Sequence, residues 1–407
     1  MVLEKPFAKS MRRILIFCLL FSGLYGRAQQ LPAPYASKSV VNNALVTGWT
    51  EGKSPLAPKG FKIRKFADGF QSPRWIYVMP NNDILVAEAA THGKSADQLT
   101  LLQDKDGDGV YDKRSIFLAQ LNKPFGMLVL GDFFYVANTD GLLRYRYSAG
   151  QDVISSTPEK ILTLPAGGYN NHWTRNIISS PDGRKIYVSV GSGSNNGENG
   201  MDQEVRRANI LEINPDGSGE RIYAAGLRNP VGMAFQPDSK VLWTAVNERD
   251  ELGDELVPDY MTGVQEGGFY GWPYAYFGPN EDPRMKGKEP ELVKKTLVPD
   301  VPLGAHTASL GLAFYTARQF PDRYRNGAFI GQHGSWNRSQ LSGYKVVFVP
   351  FANGKPSGPP EDFLTGFILD AKKSRVGGRP VGVTISPSGS LLVADDASNV
   401  IWEVSAE

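Results

Sequence analysis

The sequence predicts an all-β fold, a six-bladed β-propeller, and three observations carry that reading. Glycine (44) and proline (28) together exceed a sixth of the 407 residues, and aromatics reach 11%. With Val and Ile frequent and turn residues throughout, this favours strands over helices. One strand–turn–strand pattern recurs six times at a spacing typical of propeller blades, and no long helical periodicity competes with it. A single four-stranded sheet cannot cover its own two faces, whereas radial stacking of such sheets buries both and leaves only short edges. A pair of β-sandwiches or a β-helix is the alternative that the same turn spacing allows.

In chain order, Lys5, Lys9, Arg12 and Arg13 precede the apolar run Ile14 to Leu24, and small residues stand at Gly26 and Ala28. This reads as a secretory signal peptide over residues 1–28, too short in its apolar part to span a bilayer. An uncleaved anchor is the competing reading. Residues 29–59 are polar and contain Pro, Ser and Asn, as expected of a linker, and residues 60–407 form the propeller domain. The six units open at Ser72-Pro73-Arg74-Trp75, Lys123-Pro124-Phe125-Gly126, Thr174-Arg175-Asn176-Ile177, Asn229-Pro230-Val231-Gly232, Ser309-Leu310-Gly311-Leu312 and Arg379-Pro380-Val381-Gly382. Their starts lie 51, 51, 55, 80 and 70 residues apart, so the fourth and fifth units carry insertions. Turns such as Pro181-Asp182-Gly183 and Pro387-Ser388-Gly389 separate the first strand of a unit from a second apolar strand. Phe61-Lys62-Ile63-Arg64 is expected to complete the last blade and close the ring.

Charge and cysteine content narrow the function. The net charge is +2, from 44 basic and 42 acidic residues. Loss of residues 1–28 leaves 39 basic and 41 acidic residues, a balance of −2. No global basic field for nucleic acid exists. The one cysteine, Cys18, falls in the signal peptide and no lipobox precedes it. The mature chain therefore has no disulfide, cysteine-rich metal site or c-type haem. The expected location is periplasmic or secreted, with no membrane span after cleavage.

Candidate chemistry gathers at the unit openings. His172, in Asn171-His172-Trp173-Thr174-Arg175, would lie near the channel mouth, where a neutral imidazole suits general base work. An ordinary structural hydrogen-bonder is the competing reading. The loop Gly191-Ser192-Gly193-Ser194-Asn195 allows close approach of a ligand to its backbone N–H groups, which makes Ser194 and Asn195 candidate contacts. Arg175, Arg228, Arg338 and Arg379 all fall at unit openings or channel-side loops. Four guanidinium groups converging on one pore call for a polyanionic ligand, unless they serve as salt bridges between blades. The acidic loop Asn247 to Glu255 suits Ca²⁺ through oxygen ligands. A second loop, Asp104 to Asp112, matches the first half of an EF-hand loop but has Ser115 in the twelfth position. It is equally compatible with Ca²⁺ and with a tight Asp-Gly hairpin held by its own side chains.

Five motifs in order carry a family resemblance. They are Asn171-His172-Trp173-Thr174-Arg175, Gly226-Leu227-Arg228-Asn229-Pro230, Gly267-Gly268-Phe269-Tyr270-Gly271-Trp272-Pro273, His333-Gly334-Ser335-Trp336-Asn337-Arg338 and Gly378-Arg379-Pro380-Val381-Gly382. Over residues 60–406 the chain resembles the sorbosone dehydrogenase family of PQQ-dependent sugar dehydrogenases, relatives of the soluble quinoprotein glucose dehydrogenases and the fungal pyranose dehydrogenases. The resemblance implies PQQ and Ca²⁺ at the channel mouth and a small sugar as substrate. It makes His172 the base that takes the proton of a substrate hydroxyl while hydride passes to the quinone. Arg228 and Asn229 match cofactor contacts. Arg338 and Arg379 match cations that neutralise cofactor carboxylates, and Arg175, Ser194, Asn195, Ser335 and Trp336 are further candidate contacts. The backbone carbonyls of Arg249 and Asp250 match the metal ligands. Where the glucose branch has an Asp that orients the base, this chain has Ser192, which can only hydrogen-bond. No Cys-x-x-Cys-His is present, so electrons are expected to leave to a separate cytochrome or quinone. A calcium-dependent propeller lactonase and a non-catalytic carbohydrate-binding propeller are the alternatives. The arginines at the mouth disfavour the first and the retained His172 disfavours the second.

Overall fold

Strands of four to seven residues dominate the chain because turn residues interrupt its apolar runs at short intervals. The structure is a computed structural model that describes Met1 and residues 31–407. The expected signal peptide, with Cys18, lies outside the described residues. Among the described residues the strands form six four-stranded sheets, each antiparallel throughout. The first sheet is Pro73–Val78, Ile84–Glu88, Gln98–Gln103 and Lys113–Leu118. The second to fifth open at Met127, Ile177, Pro230 and Ala313 and proceed in the same way. The sixth is Pro380–Ile385, Leu391–Asp395 and Val400–Ala406, with Phe61–Ala67 as its outer strand. The expected pairing of the Phe61 strand with the C-terminal sheet is thus present, Phe61 opposite Ala406.

Burial falls off across each sheet. Every residue of the second strands Ile84–Glu88, Ile186–Val190, Leu242–Val246, Ala328–Gln332 and Leu391–Asp395 is buried. These strands are covered on both faces, so they read as apolar runs without alternation. The fourth strands Lys113–Leu118, Glu159–Thr163 and Arg221–Ala225 are largely exposed and polar.

Neighbouring sheets meet through their first strands. Trp75 of the first sheet packs on Phe125 at the opening of the second, ring centroids 4.9 Å apart. Gly126 N–H donates to the Arg175 carbonyl at 3.0 Å, and Asn176 Nδ2 to the Val231 carbonyl at 2.8 Å, joining the second sheet to the third and the third to the fourth. A Cβ on Gly232 would stand 2.6 Å from Leu312 N, and one on Gly382 would stand 2.6 Å from the Arg74 carbonyl. Glycine at these points lets the fourth sheet reach the fifth and the sixth reach the first.

Residues 31–59, expected as a linker, are packed along these sheets. Tyr35 N–H bonds the Leu252 carbonyl at 2.8 Å and Asn42 N–H the Trp336 carbonyl at 2.7 Å. Leu45–Val46 pairs in parallel with Arg375–Val376. The serines that suggest a linker are acceptors here: Ser37 Oγ takes Asp254 N–H at 2.7 Å and Ser39 Oγ takes Gly253 N–H at 3.2 Å. The insertion in the fourth sheet, between Gly263 and Val301, contains a short hairpin and the helix Pro290–Lys294.

Candidate active site

The hairpin that begins each sheet returns its second strand to the level of the first strand's opening. Pro73 pairs with Glu88, Pro230 with Val246 and Pro380 with Asp395. Residues just before a first strand and just after a second strand therefore share one end of the molecule. This gathers His172, Ser192, Arg228, Asn229, His306, His333, Arg379 and Asp396.

His172 is buried, and its Nδ1 lies 2.9 Å from both the carbonyl and the Oγ of Ser192. The Ser192 hydroxyl donates its own hydrogen to the Ser194 carbonyl at 2.6 Å. Only lone pairs then face Nδ1, so Nδ1 carries the ring proton and Nε2 keeps a free lone pair. Burial, and then the nearby Arg228, hold the imidazole pKa well below 6.5, so the ring is neutral at pH 7. A Cβ on Gly191 would stand 2.6 Å from His172 Cβ and 2.5 Å from Asn229 Oδ1, which places the imidazole and that amide on either side of a bare backbone.

Arg228 is fully buried beside this pair. It donates Nε to the Asn195 carbonyl at 3.0 Å, Nη1 to the Glu248 carbonyl at 2.8 Å and Nη2 to Asn195 Oδ1 at 2.9 Å. Asn195 Oδ1 also accepts Asp250 N–H at 2.9 Å. The nearest carboxylate to Arg228, Asp250 at 3.7 Å, is shared with His306 Nδ1 at 2.9 Å. His306 Nε2 faces the Gly253 carbonyl at 2.8 Å. Both ring nitrogens thus meet acceptors, so His306 is an imidazolium. Burial is the largest single influence and opposes that charge, but the Asp250 hydrogen bond and charge, the Gly253 carbonyl and Asp259 together raise the pKa.

Across the opening, Arg379 donates to the carbonyls of His333 and Gly334, both at 2.9 Å. His333 Nε2 bonds Asp396 at 2.8 Å, and Arg74 Nη1 bonds the other oxygen of Asp396 at 2.5 Å. The guanidinium of Arg74 lies 5.3 Å from the ring of Trp173 and Lys123 Nζ lies 5.2 Å from it, so both cations flank the residue that follows His172.

The remaining expected contacts lie elsewhere. Arg175 is sealed among the carbonyls of Pro165, His172 and Thr174, and burial followed by Arg207 lowers its pKa to about 9. It braces the His172 loop and does not face the opening. The Ser194 side chain is spent on Glu204. Ser335 closes its own turn through Ser342, with N–H and Oγ bonds both 2.9 Å. Trp336 is 43% exposed, too open for a buried cofactor contact. Arg338 pairs with Glu255, so its charge is already neutralised.

The acidic loop is likewise neutralised from within. Glu248 accepts Arg249 N–H, Glu251 pairs with Arg284, Asp254 accepts Ser339 N–H and Glu255 takes Arg338. The Asp250 carbonyl, expected as a metal ligand with that of Arg249, accepts Arg249 Nε at 2.9 Å and Nη2 at 2.7 Å, and the same guanidinium pairs with buried Asp282. A guanidinium directed at that oxygen leaves no open cation position there. Among the described residues the carboxylates that do cluster are Asp104, Asp106 and Asp108, in the hairpin the sequence flagged. Their oxygens accept backbone N–H groups of the same loop, as in Gly107 to Asp104 at 2.8 Å.

Asp396, Arg74, Glu204 and the charged role of His306 escaped the sequence reading. For Asp396 and Arg74 the signal was positional. Asp396 and His333 follow second strands as Ser192 and Glu248 do, and Arg74 lies at the opening of a first strand as Arg379 does. The mouth retains cations without carboxylate partners: Lys123 and Arg379 bond only carbonyl oxygens among the described residues. Asn229 Oδ1 is buried with no partner. Lys123 and Arg379 fit a ligand with several carboxylates, whereas the Asn229 oxygen is an acceptor and calls for an N–H or O–H group.

The TrAA12-like family profile matches residues 55–262 and 282–407. The chain belongs to the TrAA12-like family. The gap in the match, residues 263–281, covers the first half of the insertion in the fourth sheet. A curated relative from Hypocrea jecorina, a pyrroloquinoline quinone-dependent sugar dehydrogenase, is 24% identical over 90% of this chain and 92% of its own. Among solved structures, the holo form of the pyranose dehydrogenase PQQ domain from Coprinopsis cinerea superposes with a TM-score of 0.71 at 20% identity, covering 88% of this TrAA12-like chain and 98% of the other. A calcium structure of the Trichoderma reesei family AA12 enzyme gives 0.72 at 21% identity, over 90% and 99%. At these identities the superpositions establish a shared fold.

Proposed function

We propose that this TrAA12-like chain is a PQQ-dependent dehydrogenase that oxidises a sugar hydroxyl or the anomeric centre of an aldose. The observation that carries the reading is His172, neutral and with Nε2 unprotonated, beside Arg228 at an opening where Lys123 and Arg379 bond only carbonyl oxygens among the described residues. The six sheets are read as the blades of a closed propeller. Support comes from their contacts, which run from each sheet to the next and from the sixth back to the first through Gly382 and Arg74. No helix among the described residues is long and apolar enough to cross a membrane. Periplasmic or secreted location and a separate cytochrome or quinone as electron acceptor complete the proposal.

The residues present fit PQQ, a tricarboxylate. Arg379, Lys123 and Arg228 would attract its carboxylates, and the unsatisfied Asn229 amide oxygen would accept from an N–H or O–H group of the bound cofactor or substrate. When bound, PQQ supplies a two-electron acceptor for the hydride leaving the substrate carbon. His172 Nε2 takes the hydroxyl proton from the oxygen on that carbon. Ser192, accepting from Nδ1, keeps the lone pair aimed outward and stabilises the imidazolium that forms. Arg228 and Arg175 hold the pKa down, so the base is unprotonated before each turnover. Calcium is included on the example of the relative. The carbonyl pair of Arg249 and Asp250 does not fit as its site while the Arg249 guanidinium occupies the Asp250 oxygen, and no step is assigned to the ion. A lactonase would need unpaired carboxylates and amides converging on a central metal. Here the carboxylates at the mouth are bonded to His306, His333, Arg74 and Arg249.

Reconstitution tests the reading. Apo-protein is titrated with PQQ, with and without Ca²⁺, and assayed with a dye acceptor against a panel of aldoses and sorbosone. Saturable PQQ binding and dye reduction with at least one sugar are expected. Absence of PQQ binding by absorbance and calorimetry removes the quinoprotein assignment.

A further inference from the structure

Glu204 lies in the short turn Met201–Glu204, outside every motif that marks the site, yet three donors of the loop beneath His172 converge on its carboxylate. Gly193 N–H donates to Oε2 at 2.7 Å, Ser194 N–H donates to Oε1 at 2.9 Å, and the Ser194 hydroxyl donates to Oε1 as well. Glu204 is buried, 5% exposed. A Cβ on Gly193 would stand 3.3 Å from Oε1 and 2.9 Å from the Tyr169 carbonyl, so the close approach of the carboxylate uses the missing side chain.

The clamped loop touches His172 from two directions. The Gly193 carbonyl accepts Asn171 N–H at 2.9 Å, fixing the backbone one residue before the imidazole. The Ser194 carbonyl, in the same residue as the clamped amide, takes the Ser192 hydroxyl hydrogen and so turns that hydroxyl's lone pairs toward Nδ1. Three donors on two oxygens are satisfied by a carboxylate and not by a carboxamide, whose nitrogen would confront an N–H group.

We propose that Glu204 is the positioning residue for His172: by clamping Gly193 N–H, in the same peptide unit as the Ser192 carbonyl, and Ser194, it fixes both Ser192 acceptors, carbonyl and hydroxyl oxygen, which hold the imidazole proton on Nδ1 and the lone pair on Nε2. The carboxylate that the soluble glucose branch would place directly on the base acts here through Ser194 and Ser192. With Glu204 replaced by Gln, the loop is released: the Ser192 carbonyl is no longer held against Nδ1 and the Ser192 hydroxyl is free to donate to it. The Nε2–H tautomer, which presents no base to substrate, then becomes populated. The charged groups facing the imidazole, Arg175, Arg207 and Arg228, remain in place in that variant.

The proposal rests on the reading of His172 as base, and the test separates the two. The four histidines are followed by ¹⁵N NMR in the full chain without cofactor, with His172→Ala assigning the His172 signals, and turnover is measured after PQQ reconstitution. Wild type should show Nδ1 protonated and Nε2 bare. Glu204→Gln should show a mixed or inverted tautomer and a kcat lower by about tenfold or more, up to the roughly 10²–10⁴-fold of a lost general base, while PQQ affinity stays unchanged. If Glu204→Gln keeps the wild-type tautomer and kcat while His172→Ala loses turnover, Glu204 has no positioning role and the base assignment stands. If His172→Ala turns over normally, the base reading fails and this inference with it. Should Glu204→Gln not fold, Ser194→Ala removes one of the three donors without a charge change. It should move the tautomer and kcat in the same direction, and an unchanged tautomer overturns the proposal.

Discussion

Trp49 donates its indole N–H to Asp395 Oδ2 at 3.0 Å, and the other oxygen of the same carboxylate accepts the backbone N–H of Arg379 at 2.8 Å. A tryptophan from the segment that reads as a linker is therefore two hydrogen bonds away from a cation assigned to the cofactor. Asp395 is buried without a basic side chain. Burial raises its pKa, and the Ser398, Trp49, Arg379 and Trp402 donors oppose that.

Trp49→Phe keeps the ring that packs on Phe367 and Trp402 and deletes only the donor. A lost bond to a buried carboxylate costs about 1–3 kcal/mol, read as a lower urea midpoint with an unchanged slope. Because Asp395 also holds Arg379, PQQ affinity should weaken in calorimetry. A midpoint shift without any change in affinity would confine Trp49 to stability.

The pH behaviour of His172 follows from its surroundings. Burial, Arg228, Arg175 and Arg207 depress its pKa in the folded chain below the 6.5 of a free imidazole. The folded protein thus binds fewer protons than the unfolded chain once pH falls below about 6.5. The stability due to this group is complete above that value and is lost as pH falls toward the folded pKa. In the apo-protein the His172 resonances should stay in their neutral positions at pH 6. Binding of a tricarboxylate brings negative charge among the same arginines and should raise the pKa. A His172 titration at or above 6.5 in the apo-protein contradicts the burial argument.

The fold was legible because buried strands must be apolar and turns must be polar. Pro181-Asp182-Gly183 and Val241-Leu242-Trp243-Thr244 announce a turn and a strand in any context. The pairing of Phe61–Ala67 with the C-terminal strand could be read in advance because a strand was left over at one end of the chain. Residues 31–59 misled because serine and proline look alike in a free linker and in a segment whose hydroxyls accept bonds from Gly253 and Asp254. At the site, His172, Arg228 and Asn229 carry motif signals and lie together. Arg175 and Arg338 carry the same signals but are consumed by carbonyls and by Glu255, since sequence marks a charge and not the partner that meets it. Glu204 was silent because it stands at no unit opening and its turn shows no pairing with the Gly193-Ser194 backbone, and the role of Asp396 depends on Arg74 and His333 from distant segments.

Asp396 is the carboxylate between Arg74 and His333, with all three side chains at most 13% exposed. Removing one member of a buried ionic cluster strands the others. Asp396→Asn should destabilise the protein by about 3–5 kcal/mol. Arg74→Met combined with Asp396→Asn should cost less than the sum of the single changes, because the unpaired guanidinium is gone. Urea unfolding of the four proteins in that cycle measures the coupling. Strict additivity would mean that Arg74 and Asp396 do not act as a pair.

Closure of the ring can be tested at one glycine. A Cβ on Gly382, in the first strand of the sixth sheet, would stand 2.6 Å from the Arg74 carbonyl and 3.2 Å from Trp75 Cα of the first sheet. Both are backbone atoms, so relief requires the two sheets to part. Gly382→Ala should lower stability by about 1–3 kcal/mol, the cost of overpacking a tight interior contact. At Gly167, on an exposed loop, a Cβ would meet no atom within 4 Å, which makes Gly167→Ala a control of the same composition. The closed ring predicts a lower urea midpoint for the first variant only, because an open array would leave Gly382 at a free end where a methyl group costs nothing.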